Sequence, residues 1–215
     1  MSLKPYKTLI RDAQDEFIVN KSRFIGHGRP CGTEEAALAF LAEMRARYKD
    51  ATHNCYAYII GANMGVMRYS DDGEPGGTAG LPIIEVMKAR GVTNCAVVVT
   101  RYFGGVLLGA GGLVRAYSQG AAAAINAAGV GVMHPTARYL MAIPYPLLNR
   151  MDHFLKDEPV IIEEKAFTDA VTYTFVVRCA DEAAFLARLA DLSEGTAEPL
   201  RCEELYLAWP EEVAP

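Results

Sequence analysis

Apolar and polar positions along the first two thirds of the chain follow both helix and strand periods. After Thr33, a typical N-cap residue, Ala37, Phe40, Leu41 and Met44 recur on one face of a predicted helix. Two more helices are predicted at 79–90 and 109–127, and the small side chains of the second would let it pack very close to a sheet. Runs rich in valine, isoleucine and tyrosine predict strands at 6–10, 17–19, 22–28, 53–60, 66–69 and 94–100.

The last third of the chain has a pattern of its own, and the change falls near residues 132–136. Strand and helix signatures alternate there in the order βαββαβ, which is the split ferredoxin-like arrangement. The predicted strands are 139–143, 160–164, 171–178 and 201–208, and the predicted helices are 146–155 and 181–192. We therefore expect an α+β fold with two domains, 1–135 and 136–215.

Composition narrows the class of protein. Half of the 215 residues (51%) are hydrophobic and 22% are charged, which is a globular balance. No apolar run reaches the roughly 18 residues of a membrane span, and the N-terminus lacks a signal-peptide stretch. The five cysteines are widely spaced and contain no C-x-x-C pair, so structural thiols are favoured over a metal or redox site. We expect a cytoplasmic protein without a membrane partner, a metal or a cofactor.

The net charge of −5 is unevenly distributed. Residues 1–135 carry 14 basic and 11 acidic side chains, whereas 136–215 carry 7 basic and 15 acidic ones. The acidic half would repel a phosphate backbone, so any contact with RNA must be local and must lie on the first domain. The acidic domain would instead suit a basic protein as a docking partner.

The most distinctive chemistry lies in two glycine-rich segments, 70–80 and 100–115. Asp71, Asp72 and Glu74 place three carboxylates within four residues of a predicted turn. Three interpretations remain open: a loop in which the Asp side chains bind their own backbone, a contact surface for a partner, and a site for Mg²⁺ or Ca²⁺. The spacing does not match a calcium-binding loop.

The second segment starts with Arg101, at the end of the predicted strand 94–100. Arg115 and Tyr117 follow in the first turns of the next helix, after the backbone amides of 109–112, which could hold an anion. One hypothesis is that the two guanidinium groups bind phosphate or carboxylate. The alternative is that Arg101 pairs inside the fold with a carboxylate of the first segment.

Neither segment completes a known nucleotide motif, since both the Walker sequence and the G-x-G-x-x-G pattern are missing.

Strand alternation after Arg101 favours Tyr102 at the surface and Phe103 in the core. A nucleophilic enzyme built on His53 with Ser70 or Cys55 is disfavoured, because no G-x-S-x-G elbow occurs and Cys55 lies within a predicted strand.

The combined motifs resemble the IMPACT/YigZ family. They are Ser-Asp-Asp-Gly-Glu-Pro at 70–75 with Gly-Thr-Ala-Gly at 77–80, Val-Val-Val-Thr-Arg-Tyr-Phe-Gly-Gly at 97–105, Lys-Ser-Arg-Phe-Ile at 21–25 and His-Asn-Cys at 53–55. The resemblance is strong over about 15–130, and the second half is similar to the small C-terminal domain of the bacterial branch. It implies a first domain similar to the second domain of a ribosomal small-subunit protein and to domain IV of elongation factor G. The second domain would be similar to domain V of that factor.

The resemblance implies that eukaryotic members dampen the kinase that senses amino-acid starvation, using an additional N-terminal domain. We expect this chain to lack that domain, so that specific activity is not carried over. The resemblance therefore implies a non-enzymatic binding or regulatory protein linked to translation, in contact with the ribosome, structured RNA or a ribosome-associated protein. The alternative is an enzyme or phosphate-binding protein with a cleft lined by His53, Asp71, Asp72, Glu74, Arg101 and Arg115. The predicted contact face comprises His53, Asp71, Asp72, Glu74, Thr78, Arg101, Tyr102, Gly104, Gly105, Gly109, Arg115 and Tyr117.

Overall fold

A computed structural model describes residues 5–210, which form two compact α+β units. The first contains residues 5–133 together with 208–210, and the second contains 134–207. The five α-helices within residues 5–210 are α1 (Glu34–Arg47), α2 (Gly80–Arg90), α3 (Gly109–Ala128), α4 (Leu148–Lys156) and α5 (Glu182–Ser193). The ten strands of the same described range are β1 (Lys7–Leu9), β2 (Ala13–Val19), β3 (Ser22–Pro30), β4 (His53–Ile60), β5 (Val66–Ser70), β6 (Cys95–Tyr102), β7 (Val130–Ile143), β8 (Val160–Phe167), β9 (Val171–Arg178) and β10 (Leu200–Pro210).

The first unit is built on an antiparallel five-stranded sheet in the order β2-β3-β6-β4-β5. The main core lies between one face of this sheet and helices α2 and α3. A smaller core lies on the other face, where α1 packs. Because β6 is central and covered on both faces, its residues Cys95–Arg101 are all buried, as its run of valines indicates.

Helix α3 lies unusually close to the sheet because glycine and alanine line the contact. A Cβ on Gly26 would stand 2.2 Å from the carbonyl oxygen of Gly120, and a Cβ on Gly120 would stand 2.8 Å from a methyl of Val99. Gly28 approaches Ala124 in the same way, at 3.1 Å. The close packing expected from the small side chains of this helix is therefore present, and it depends on glycine on both partners.

The helix ends follow the local signals in the sequence. The Thr33 hydroxyl accepts a hydrogen bond from the Ala36 N–H at 3.2 Å, so Thr33 is the N-cap of α1 as predicted. Helix α2 ends at Gly91, which adopts a left-handed conformation (φ 67°).

The second unit has the element order β7-α4-β8-β9-α5-β10, with a short 3₁₀ turn at Tyr145–Leu147 before α4. Its strands pair in the order β10-β7-β9-β8, and α4 and α5 contribute to a single apolar core. This is the βαββαβ arrangement that the sequence pattern predicts. Strand β7 is longer than expected, since it begins at Val130 rather than at residue 139.

The unit boundary differs from the predicted domains at the end of the chain. Residues 208–210 belong with the first unit, although the sequence pattern assigns all of 136–215 to the second domain. Gly131 shows why, because a Cβ there would lie 2.6 Å from the Trp209 carbonyl oxygen. None of the helices within residues 5–210 is both long and apolar enough to cross a membrane.

Gly26→Ala is expected to lower the free energy of unfolding by about 1–3 kcal/mol, because the added methyl must displace the backbone of α3. Gly32→Ala is the matched control, since a Cβ there meets nothing within 4 Å, and it should change stability by less than about 0.5 kcal/mol. Urea unfolding followed by the fluorescence of Trp209, the single tryptophan, measures both. Equal stabilities of the two variants would contradict the close-packing argument.

Candidate functional site

The carboxylate-rich segment forms a tight turn, and Glu74 at the end of this turn is buried. The Glu74 N–H donates to the Asp71 carbonyl at 2.9 Å, and the two central residues, Asp72 (φ 44°) and Gly73 (φ 88°), are both left-handed. This is the pattern of a type I′ turn. The Asp72 carboxylate fastens the turn to β4 by accepting the Asn54 N–H at 2.6 Å.

The Asp71 side chain organises the rest of the segment and the start of α2. Its carboxylate accepts three backbone N–H groups, from Gly77 at 2.9 Å, Ala79 at 3.0 Å and Gly80 at 2.8 Å. Burial by itself raises the pKa of Asp71, but these three donors outweigh it and hold the pKa below its usual range. Asp71 therefore serves as a remote cap for α2, whose N-cap residue Ala79 offers no side-chain hydrogen bond.

Two further residues of the motif also have structural roles. A Cβ on Gly80 would lie 2.7–2.8 Å from the backbone of Ser70, so only glycine fits there. Thr78 is buried and donates its hydroxyl to the Pro75 carbonyl at 2.6 Å. Of the three interpretations of this segment, the loop stabilised by Asp side chains is the one that accounts for Asp71 and Asp72.

Arg101 and Glu74 form a buried ion pair, as the internal-pairing alternative predicts. Arg101 Nη1 lies 2.7 Å from Glu74 Oε1, and the two side chains are only 6% and 3% exposed. Nη2 donates to the Ser22 hydroxyl at 3.3 Å, and the guanidinium lies 5.5 Å and 5.4 Å from the ring centres of Phe24 and Phe103. Arg101 is thus held inside the fold by its ion pair with Glu74.

Tyr117 on α3 completes the support of the Glu74 carboxylate. Its hydroxyl donates to Glu74 Oε1 at 2.7 Å, and its ring is fully buried. Burial, with the nearby Cys55 thiol and the Glu74 carboxylate, raises the pKa of Tyr117, so the hydroxyl remains a proton donor. Burial also raises the pKa of Cys55, whose thiol donates to the Asp71 carbonyl at 3.0 Å. A thiol held in the neutral form is a poor nucleophile.

The side chain of His53 is 18% exposed. It lies directly opposite Arg101 in the β4–β6 ladder. Its Nδ1 lies 2.8 Å from the Asp72 carbonyl oxygen, which can only accept, so we assign the proton to Nδ1. Nε2 is then left without a hydrogen bond among the described residues, 3.9 Å from Glu74 Oε1.

His53, Glu74 and Arg101 meet at a pocket of about 380 Å³. The start of α3 lines one side of this pocket, and no side chain within residues 5–210 caps that helix end. The remaining lining is largely apolar. The full lining is Thr52, His53, Glu74, Pro75, Arg101, Phe103, Leu107, Leu108, Gly109, Ala110 and Leu113.

Residues 103–109, which we call the 103–109 loop, connect β6 to α3 and border the pocket. Gly104 anchors the loop, since a Cβ there would lie 2.0 Å from the backbone of Lys21. Gly105 (φ 81°) and Gly109 (φ 68°) adopt left-handed conformations with open space around them. Between these glycines the loop exposes apolar side chains, and Leu107 is 86% exposed.

Several residues of the predicted contact face lie elsewhere or cannot take part. Arg115 is exposed on α3 and lines a separate depression with Asn20 and Gln119, so it does not converge with Arg101. Tyr117 was expected at a contact surface, and this is wrong because its side chain has no exposed area.

The two aromatic residues after Arg101 also differ from the expectation. Phe103 is 46% exposed, so its predicted place in the core is wrong; β6 ends at Tyr102, and strand alternation does not continue beyond it. Tyr102 is half-buried on the α1 face, where it donates to Asp50 at 3.0 Å and Arg23 lies over its ring.

Sequence reasoning missed the apolar part of the site. In the sequence, Leu107, Leu108 and Leu113 stand only as neighbours of glycines, and Thr52 and Pro75 carry no signal. The one signal that marks this wall is a leucine pair between two glycine clusters, where a core residue would be out of place.

Segments of both domains match known protein families. Residues 20–125 match the Impact N-terminal domain, and residues 141–196 match a domain of unknown function, DUF1949. The IMPACT family member YvyE of Bacillus subtilis is 35% identical over 95% of this chain and 94% of its own length. The IMPACT family member YigZ of Escherichia coli is 36% identical over 86% of this chain and 92% of its own.

A solved structure agrees with these matches. The crystal structure of a hypothetical protein is similar to this chain with a TM-score of 0.59 and 33% identity, over 93% of this chain and 98% of that one. The chain belongs to the IMPACT family, as the sequence motifs indicate.

Arg101→Met is expected to lower the free energy of unfolding by about 3–5 kcal/mol, because it leaves the Glu74 carboxylate buried without its cation. The double variant Arg101→Met/Glu74→Met should recover most of this loss, since neither charge then remains unpaired. A complete double-mutant cycle by urea unfolding measures the coupling. Additive losses would show that the two side chains act independently.

Asp71→Asn is expected to lower stability at neutral pH by about 1–3 kcal/mol, because a neutral amide cannot accept the three N–H groups as the carboxylate does. The folded pKa of Asp71 is depressed, so its contribution is full above the unfolded value of about 3.9 and is lost as the pH falls through the folded value. The difference between wild type and variant should therefore vanish in acid. Stability curves measured between neutral and acid pH test this, and a difference independent of pH would contradict it.

Proposed function

We propose that this chain is a non-enzymatic regulatory protein linked to translation, which acts by docking onto a protein of the ribosome or bound to it. Two features support a translation-linked role. The chain belongs to the IMPACT family, and its motifs resemble those of proteins whose eukaryotic members act in translational control. The chemistry of its own surface supports the choice of a protein partner.

The observation that carries the proposal is the exposed apolar side of the 103–109 loop. Within the seven residues of this loop, the side chains of Phe103, Val106 and Leu107 are 46%, 40% and 86% exposed. Exposed apolar side chains grouped in this way are typical of a surface that a partner covers. The glycines on either side allow the loop to adjust its backbone to that partner.

The charges of the first unit favour a protein over an RNA backbone. Arg101, which a phosphate clamp would need, is neutralised by Glu74 inside the fold. At the surface Arg23 pairs with Glu16 at 2.6 Å, and Arg29 pairs with Glu43 at the same distance. Arginines already paired with carboxylates offer little counterion release, which is the main source of affinity for nucleic acid.

The buried polar groups support a non-enzymatic role. The Cys55 thiol is held neutral, and the Ser70 hydroxyl accepts the Asp72 N–H at 3.1 Å as part of the turn. Among the described residues, His53 makes no hydrogen bond to either of these potential nucleophiles. A base without a nucleophile within reach does not make a covalent catalyst.

Leu107→Asp is expected to weaken co-sedimentation with ribosomes by about tenfold or more, because it places a charge at the centre of the apolar contact. The matched control is Ile18→Asp, which introduces the same charge at another exposed apolar residue of the first unit (71% exposed). Ribosomes from the source organism, at low and moderate salt, provide the assay.

The expected result is binding that resists salt, is lost in Leu107→Asp and is retained in Ile18→Asp. Equal loss in both variants would assign the effect to net charge and would contradict docking through the loop. Binding that collapses at moderate salt in the wild type would favour an RNA contact. No sedimentation of the wild type at either salt concentration would overturn the ribosomal partner.

A further inference from the structure

The 103–109 loop borders two depressions of different chemistry. One is the pocket of about 380 Å³ with its apolar wall, and the other has about 250 Å³ and is lined in part by Arg115. Leu108 lines both. We propose that this surface binds an acidic, apolar segment of a partner protein, with an apolar side chain of the segment in the first pocket and its carboxylates beside Lys21 and Arg115. The inference rests on the proposed docking role of the loop and specifies the chemistry of its partner.

The larger pocket suits an apolar side chain of that segment. Phe103, Leu107 and Leu108 line it from the loop, and Leu113 lines it from α3. Leu107 and Phe103 are also exposed to solvent, so they can close around a side chain that enters. A volume of about 380 Å³ lies at the lower end of the range of ligand sites, which suits a large side chain better than a bulky cofactor.

The second half of the surface is positively charged. Arg115 on α3 lines the smaller depression, and Lys21 lies at the tip of the hairpin formed by β2 and β3. Both side chains are exposed, and neither makes an ion pair within residues 5–210. The carboxylate among the residues that line the two depressions is that of Glu74, which is buried and paired with Arg101 at 2.7 Å. Carboxylates of a partner are therefore matched here, whereas a basic partner would be repelled.

The backbone at Lys21 supports a role for its side chain outside the fold. Asn20 (φ 46°) and Lys21 (φ 66°) are both left-handed and Val19 pairs with Ser22, which is the geometry of a type I′ hairpin turn. Glycine and asparagine favour such positions, whereas lysine is strained there. The tip touches the loop, since a Cβ on Gly104 would lie 2.0 Å from the Lys21 backbone. The hairpin thus places a cation beside the loop where glycine would be the less strained residue.

This combination of charge and apolar surface favours a protein segment over RNA. A protein that binds a nucleic-acid backbone neutralises many phosphates, and its affinity comes largely from the counterions that are released. Lys21 and Arg115 provide few such contacts and border an apolar pocket. Exposed ion pairs contribute little each, so we expect the apolar anchor to supply most of the affinity and the cations to select an acidic partner.

A random dodecapeptide library displayed on phage, selected on the full chain, identifies the preferred chemistry. Each round is counter-selected on Leu107→Ser, which removes the exposed apolar side chain without adding a charge. We expect the enriched peptides to carry a leucine or an aromatic residue with aspartates or glutamates within about five positions of it. Enrichment of basic or uncharged peptides would overturn the proposal, and so would the absence of peptides that depend on Leu107.

Charge variants test the two cations by fluorescence anisotropy with the labelled consensus peptide of that selection. Arg115→Gln and Lys21→Gly should each weaken binding by about two- to fivefold, which is the range of an exposed ion pair. Arg68→Gln is the matched control, because it removes a positive charge from an exposed position on β5, at the other edge of the sheet from β2, and should bind like the wild type. A peptide with amides in place of its acidic residues should bind the wild type and Arg115→Gln equally.

Lys21→Gly also separates binding from stability. Because glycine relieves the left-handed backbone, this variant should unfold at the same temperature as the wild type or at a higher one, and yet bind the peptide more weakly. A lower unfolding temperature would contradict the argument from backbone strain. Wild-type affinity of a folded Lys21→Gly or Arg115→Gln protein would overturn the contact assigned to that cation.

RNA and a second copy of the chain are the other occupants that these measurements test. A labelled random RNA dodecamer that binds more tightly than the consensus peptide would overturn the proposal in favour of RNA. Self-association of the wild type that is lost in Leu107→Ser, measured by sedimentation equilibrium, would overturn it in favour of a second copy.

The failure of this inference is distinguishable from the failure of the proposed function, because no ribosome enters these assays. Ribosome binding that depends on Leu107, without selection of acidic peptides, would overturn the acidic partner alone. An acidic consensus peptide, without any ribosome binding, would support the inferred surface and overturn the ribosomal partner alone.

Discussion

The buried pair of Arg101 and Glu74 is the interaction around which the first unit is organised. Two opposite charges, each at least nine-tenths buried, are tolerable only when they neutralise each other and are supported by further hydrogen bonds. Tyr117 on α3 and Ser22 on β3 provide that support. The pair therefore connects the central strand, a turn, a helix and a neighbouring strand at one point, which explains why so many distinctive residues converge there.

The carboxylate-rich turn serves this pair. Asp71 caps α2 and closes the segment, Asp72 fastens it to β4, and Glu74 is the residue that the turn delivers. Motif residues that suggest metal or phosphate chemistry are thus mostly used to build a scaffold. Two features remain available for function. They are the pocket lined in part by Arg101 and Glu74 and the 103–109 loop that borders it. The loop exposes apolar side chains and contains three glycines, Gly104, Gly105 and Gly109.

The sequence predicts those parts of the site that depend on neighbouring residues. It does not predict the contacts between side chains that lie far apart in the chain. The glycine-rich segments 70–80 and 100–115 do contain residues that meet, and the sequence offers pairing of Arg101 with a nearby carboxylate as one of two alternatives. Closeness in sequence also groups Arg115 and Tyr117 with Arg101. On a helix, however, two residues apart means opposite faces, and α3 turns Tyr117 inward and Arg115 outward. Phe103 was misplaced because the strand period was extended past the end of β6.

The sequence by itself determined the elements of both domains, the cap at Thr33, the left-handed end at Gly91 and the family, because each depends on contiguous residues or on a long motif. Only the tertiary structure decided which charge neutralises Arg101, which nitrogens lack partners and which leucines form a wall. Those properties depend on atoms brought together from strands and helices up to 95 positions apart, as Ser22 and Tyr117 are. Hydrophobic periodicity records whether a side chain faces a core, but it does not record which other side chain it meets there.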